Sequence, residues 1–251
     1  MPFILMFISS LLIVAAPANA QQNSAPGWSY DNDYTGQEEW GLISGQYAAC
    51  GIGTMQSPIH IAYTEVEKLP DLAFSYSKTN ANIANIERTV QITFNDDSQT
   101  VQEDGKQYIL KRIEFHSPGE HIIKNRIYAM EVHLMHENAD GDKLIVAMMG
   151  EMEKPLEHID ALLDALPETA HAKKPIELDP RWFLPVYKGY YAYMGSLTYP
   201  PCIEGIKWRI MKSPIDISKE QLRKLSRYTK RNARLTQPVY TRKIMESDDP
   251  W

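Results

Sequence analysis

The sequence predicts a β-dominated α+β fold in a single domain, and three observations predict it. Five stretches between residues 72 and 149 are rich in β-branched and aromatic residues and are bounded by turn residues. Only two stretches carry helical patterning. No internal repeat and no linker divides the chain, and its length suffices for one sizeable core.

The first twenty residues, MPFILMFISSLLIVAAPANA, stand apart from that core. The run is apolar and ends in Ala18-Asn19-Ala20, a small-x-small cleavage pattern followed by Gln21 and Gln22. It reads as a signal peptide over residues 1–20, leaving a mature domain over 21–251. It lacks the usual positive n-region, and the alternative is an uncleaved anchor. Its apolar core is short for a span, and Pro17 interrupts its end. No other stretch is long and apolar enough to cross a bilayer. The expectation is an exported protein, periplasmic or secreted, with no membrane contact after cleavage. A net charge of −6 argues against nucleic acid as a partner. The two cysteines, Cys50 and Cys202, then meet an oxidising compartment. A bridge between them closes a loop of about 150 residues, worth ~5 kcal/mol in the chain-entropy model. The alternative is two buried free thiols.

Taken in order, residues 21–50 are turn-rich and aromatic, with Trp28, Tyr30, Tyr34 and Trp40 among Gly, Asp and Asn. This predicts irregular chain wrapped on a core. QSPIHI (56–61) is a short extended piece. Strands follow at LAFSYS (72–77), VQITF (90–94), QYILKRIEFH (107–116), AMEVHLMHE (129–137) and KLIVAMM (143–149). DGD at 140–142 is a hairpin turn. In KPLEHIDALLDAL (154–166), Leu156, Ile159, Leu162, Leu163 and Leu166 recur at helical spacing, which predicts an amphipathic helix docked on the sheet. YAYMGSLTYPPC (191–202) is a strand running into a Pro-stiffened loop, and GIKWRIM (205–211) is another strand. Ser218 opens SKEQLRKLSRY with Gln221 three residues on, the pattern of a capping-box helix start. The tail ESDDPW is polar and expected to be loose.

Period-two alternation aims Glu114 and His116 to one side of their strand, and Glu131, His133 and Met135 to one side of theirs. Charged and imidazole groups on a buried face need partners, and a metal is one efficient partner. Hydrogen-bonded core histidines are the other reading, and spacing alone leaves both open.

Five blocks in order resemble the α-class carbonic anhydrases, over nearly all of the mature sequence. They are WSYDNDYTGQEEWG, with Ser29 in place of a glycine, AACGIGTMQSPIHI, GEHIIKNRIYAMEVHLMHENADG, YMGSLTYPPCIEGIKWRIM and NARLTQPVYTRKI. The resemblance implies a central, twisted, mostly antiparallel sheet of about ten strands, with zinc at the bottom of a conical cleft. It also implies CO2 hydration, with CO2 and bicarbonate as the small-molecule partners and Zn2+ as the cofactor.

Carried over by position, His116 and His133 match the second and third zinc histidines of that family. Glu114 stands where the first histidine belongs, and Arg112 stands where the family has the Gln that supports it. Glu131 matches the acid that orients the third histidine. Thr198 matches the threonine that accepts a hydrogen bond from zinc-bound hydroxide, and Glu120 matches the glutamate that takes the threonine's proton. Met135, Val146, Leu197 and Trp208 correspond to the apolar CO2 pocket, with Met135 larger than the usual valine. Tyr199 is bulkier than the usual residue after the threonine, and Tyr30 matches a tyrosine that orders cleft water. The proton-shuttle histidine falls at Arg88, which stays charged and cannot relay a proton near neutral pH. Cys50 and Cys202 match the disulfide pair of secreted members.

Glu114 is the main departure. Two histidines, a carboxylate and a water form an established catalytic zinc set. The added negative charge makes zinc a weaker Lewis acid and raises the pKa of its water above the roughly 7 that three histidines give. Arg112 lies on the same strand face and can compete with the metal for Glu114. Three functions follow: a slow zinc carbonic anhydrase, a catalytically inactive binding module in which Arg112 and Glu114 form a structural ion pair, and a different zinc-dependent hydrolysis such as that of esters.

Overall fold

The protein is described here by a computed structural model covering residues 27–86 and 88–248. The expected signal segment, residues 1–20, lies outside the described residues. The eleven-residue strand Lys106–His116 is the spine of the fold. It pairs antiparallel with Val90–Phe94 on one side and with Met130–Glu137 on the other. The sheet runs outward through Thr79–Asn85 to the edge strand Lys173–Leu178. In the other direction it runs through Lys143–Met152, Glu204–Met211, Tyr190–Ser196 and Met245–Ser247 to Glu65–Glu67. That path contains ten strands, and Ala73–Ser75, Thr100–Glu103 and Ile215–Ile217 complete a sheet of thirteen. Most ladders are antiparallel. Lys143–Met152 pairs in parallel with both Glu204–Met211 and Ile215–Ile217, and Met245–Ser247 pairs in parallel with Glu65–Glu67.

The central strands are covered on both faces. Ile113, Phe115, Val132, Leu134, Leu144, Val146 and Met148 point into the larger core. Their alternate neighbours Met135, Ile145, Ala147, Met149, Trp208 and Ile210 form a smaller core on the opposite face. This is why KLIVAMM reads as an unbroken apolar run rather than an alternating one. The helices Ile159–Ala165 and Lys219–Thr229 place Ile159, Leu162, Leu163 and Leu225 in the larger core. The smaller core backs the candidate site.

Several elements differ from the sequence expectation. The helix expected over 154–166 spans only Ile159–Ala165, because Pro155 precedes it and His158 sits at φ 69°, outside helical space. LAFSYS contributes only Ala73–Ser75 to a ladder. Thr79–Asn85 and Lys173–Leu178 were not expected as strands: the first holds three asparagines, and the second is a charged edge strand with only Leu178 buried. The tail is not loose throughout. Glu246 and Ser247 extend the sheet, with the Ser247 hydroxyl accepting from the Tyr190 N–H and the Ser247 carbonyl accepting from Lys212 Nζ. The capping box at Ser218 and Gln221 forms as read.

Cys50 and Cys202 are disulfide-bonded. The bridge ties the short helix Ala49–Ile52 to the loop that carries Thr198. With a sequence separation of 152 between its ends, its removal by Cys50→Ser with Cys202→Ser is expected to cost about 5 kcal/mol and lower the Tm by roughly 10–15 °C. Urea and thermal unfolding of the double variant measure this, and a loss below about 1 kcal/mol would show that other ties hold the loop.

Candidate metal centre and its cleft

Strand register assembles the site. Arg112, Glu114 and His116 lie opposite Met135, His133 and Glu131, and Gln91 lies opposite Glu114 on the other side. Glu114, His116, Glu131 and His133 are all buried. Each therefore needs a partner for its polar atoms.

Glu131 collects four donors. Its Oε2 accepts from the backbone N–H groups of Glu120 and His121, both at 2.8 Å. Its Oε1 accepts from the rings of His121 (2.7 Å) and His133 (2.8 Å). Burial pushes this carboxyl up, but its interactions with His121 and His133 pull it well below the ordinary carboxylate range. An ionised Glu131 makes His133 Nε2 the N–H nitrogen and leaves Nδ1 as the lone-pair nitrogen. His116 is set the opposite way round. Its Nδ1 donates to the Asn232 carbonyl at 3.0 Å, so Nε2 carries the lone pair. That Nε2 is buried and has no hydrogen-bond partner. Burial lowers the His116 pKa despite the Asn232 bond, so the ring is neutral and able to ligate. The two imidazole centroids are 4.4 Å apart.

Glu120 stands behind the pair. Its Oε1 accepts the Arg234 N–H at 2.9 Å, and its Oε2 is buried without a partner. Burial raises its pKa to about 7, opposed by His133 and by hydrogen bonds from Arg234 and Thr198. The Thr198 hydroxyl thus lies against Glu120. His116, Glu120 and His133 offer atoms within 4.8 Å of one another, a grouping that fits a modified metal site. The Glu120 carboxylate approaches His116 Nδ1 at 3.5 Å and His133 Nε2 at 3.7 Å. Those nitrogens already serve Asn232 and Glu131, and the lone-pair nitrogens are the other two.

Glu114 is not drawn into that grouping. Its Oε1 accepts from Arg112 Nε and Gln91 Nε2, each at 2.8 Å, and from the Tyr199 hydroxyl at 3.4 Å. Its Oε2 is buried and unpartnered. Burial works to raise the Glu114 pKa, and Arg112, ahead of His116, holds it below the ordinary value. Arg112 also donates from Nη2 to the Tyr199 hydroxyl at 2.8 Å. Arg112 thus takes one of the two Glu114 oxygens.

The apolar residues separate by face. Met135, Leu197 and Trp208 lie together in the smaller core. Val146 does not join them: it points into the larger core on the far side of the sheet. Its neighbour Ile145, opposite Met135 in the ladder, takes that place. An offset of one residue along a strand reverses the face. Tyr199 stacks on Trp28, with centroids 6.1 Å apart and planes 5° apart, and Tyr30 meets Trp28 edge-on. The Arg88 guanidinium lies 4.6 Å from the centre of the Trp28 ring. Tyr30, Tyr199, Arg88 and Arg112 line a cavity of about 390 Å³ that reaches Glu114 and His116.

The model of the eukaryotic-type carbonic anhydrase family matches residues 35–248. The chain belongs to the α-carbonic anhydrase family. A carbonic anhydrase of Neisseria gonorrhoeae is 31% identical over 238 residues, covering 94% of this chain and 94% of the relative. The solved α-carbonic anhydrase of Thermovibrio ammonificans, in complex with the inhibitor sulfanilamide, superposes with a TM-score of 0.84 at 31% identity, covering 88% of this chain and all of that one. Dioscorin, crystallised with ascorbate, superposes with a TM-score of 0.81 at 29% identity, covering 88% of this chain and 97% of that one.

Sequence reasoning missed five supporting residues of this carbonic anhydrase fold. Asn232 and Arg234 lie in a block quoted for its resemblance, but their partners are more than a hundred residues away. His121 sits beside Glu120 and gives Nδ1 to Glu131, while its Nε2 meets the Tyr193 hydroxyl at 2.7 Å. Gln91 could be assigned only once its register with Glu114 was known, and Trp28 only once it stacked on Tyr199.

Two outcomes follow for the chelator-treated protein. Glu131→Gln leaves at least one of four buried donors facing an amide N–H, and is expected to cost about 3 kcal/mol in urea unfolding. For Glu120, the folded state keeps a proton between its ordinary 4.5 and about 7, where the unfolded state has lost it. This group therefore erodes stability as pH rises through that window. Glu120→Gln is expected to gain stability relative to the parent between pH 5 and pH 7, and a pH-independent difference would refute the assignment.

Proposed function

We propose that the chain is a zinc-dependent carbonic anhydrase that hydrates CO2 reversibly but slowly, and that it is exported to the periplasm or beyond. The observation that carries the reading is the set of lone pairs. His116 and His133 have their outer nitrogens tied to Asn232 and Glu131, so the inner ones are acceptors. On the strand position paired with His133, Glu114 Oε2 is a buried acceptor without a donor. Acceptors with no donors suit a cation, and two imidazoles with a carboxylate are a zinc donor set. His116, His133 and Glu114 would hold it. Zinc there supplies Lewis-acid activation of water.

The rest is done by the chain itself. Thr198 donates to Glu120, so the threonine oxygen is free to accept only from a donor in the cleft, which fixes that donor's orientation. Met135, Ile145, Leu197 and Trp208 form an apolar wall suited to CO2. Two features slow the reaction. Glu114 would bring negative charge to a bound zinc, and it is shared with Arg112. Arg88 stands where a proton relay is needed and stays charged. The disulfide, and the absence among the described residues of a helix long and apolar enough to cross a membrane, are consistent with export.

A second reading, a metal-free binding fold, is favoured by the Arg112–Glu114 ion pair; dioscorin, which resembles this chain, was crystallised with ascorbate. Elemental analysis and stopped-flow CO2 hydration on one sample separate the two. About one zinc per chain, with hydration that rises with buffer concentration, is expected. Arg112→Gln with Glu114→His, which restores the family's residues, is expected to raise metal affinity or rate by about ten- to a hundredfold. Metal and hydration confined to that double variant would establish the second reading.

A further inference from the structure

Two guanidinium groups share the cleft wall, Arg88 and Arg112. Against them the cavity sets one described carboxylate, Glu114, which is bonded to Arg112. Among the described residues, Arg88 forms no ion pair, and its guanidinium rests on Trp28. The cleft therefore faces inward with an excess positive charge.

The arrangement has direction. Glu114 is sealed at the floor, whereas the Arg112 side chain is 32% exposed and Arg88 is half-buried nearer solvent. Arg112 is held by Glu114 at Nε and by Tyr199 at Nη2, so its plane is set before any ligand arrives. Trp28 and Tyr199, stacked with their planes within 5° of parallel, give the mouth an aromatic lining. The volume, about 390 Å³, is far more than CO2 requires and falls in the range of small-molecule pockets.

We propose that the mouth of this cleft binds a small planar organic acid, its carboxylate on Arg88 and Arg112 and its ring along Trp28 and Tyr199, whether or not a metal occupies the floor. Guanidinium groups match carboxylate geometry, and flat rings match an aromatic wall. The proposal rests on the cleft wall and is independent of zinc-dependent hydration.

Isothermal titration of the purified protein with benzoate, and with its neutral isostere benzamide, tests it, once with chelator and once with zinc. Benzoate is expected to bind in both conditions, about tenfold or more tighter than benzamide, and to weaken as salt rises. Arg88→Gln is expected to weaken benzoate by about tenfold and leave benzamide unchanged. Trp28→Leu is expected to weaken both. Equal affinity for benzoate and benzamide in the unmodified protein would overturn the proposal, as would benzoate binding that requires zinc or that survives Arg88→Gln unchanged. A protein that hydrates CO2 with zinc but takes no benzoate under chelation overturns this proposal alone.

Discussion

The site depends on one buried carboxylate. Glu131 has no access to water, so its charge persists only because four donors point at it. Two are backbone N–H groups of residues 120 and 121, which fixes the turn that carries Glu120. Two are imidazoles, which fixes the tautomer of His133 and docks His121. From His121 the chain of bonds continues to Tyr193 and Ser57. A charge in a low-dielectric interior enforces geometry strongly, since each lost donor is a large penalty.

A second constraint closes the site from the other end. Arg234 gives its backbone N–H to Glu120, and its guanidinium to Gln56, Ser57 and the carbonyl of Cys50. Cys50 is in turn bonded to Cys202, four residues beyond Thr198. The threonine, its carboxylate acceptor and the N-terminal segment are thereby one unit. His116 joins through Asn232, whose side chain also holds the Ser117 N–H and the Phe115 carbonyl.

Against this background the exchange at Arg112 and Glu114 is local. A carboxylate buried at position 114 needs a counter-charge, and position 112, two residues away on the same strand face, supplies it. Gln91 and Tyr199 complete the shell around one oxygen. The other oxygen is buried and unpartnered, on the strand position that pairs with His133. The replacement thus keeps the interior electrically paired without dismantling the Glu131 network, which makes no hydrogen bond to either residue.

Much of this was legible in the amino-acid sequence. Alternation identified the strands that carry Glu114, His116, Glu131 and His133, because period-two patterning in long buried strands survives any tertiary context. The capping box at Ser218 was legible because it is made by residues three apart. Local signals failed where local preference was weak: the asparagine-rich strand Thr79–Asn85, the charged edge Lys173–Leu178 and the polar tail that joins the sheet. Val146 was misplaced because a shift of one residue, invisible in an apolar run buried on both faces, reverses the side chain. Which oxygen of Glu114 is held, and which nitrogen of each histidine is free, tertiary structure alone decided. The sequence determined the residue types and the alternation that aims them, both carried by neighbours along the chain. The choice of atom depends on partners such as Asn232 and Arg234, which are brought within hydrogen-bond range only by folding across more than a hundred residues.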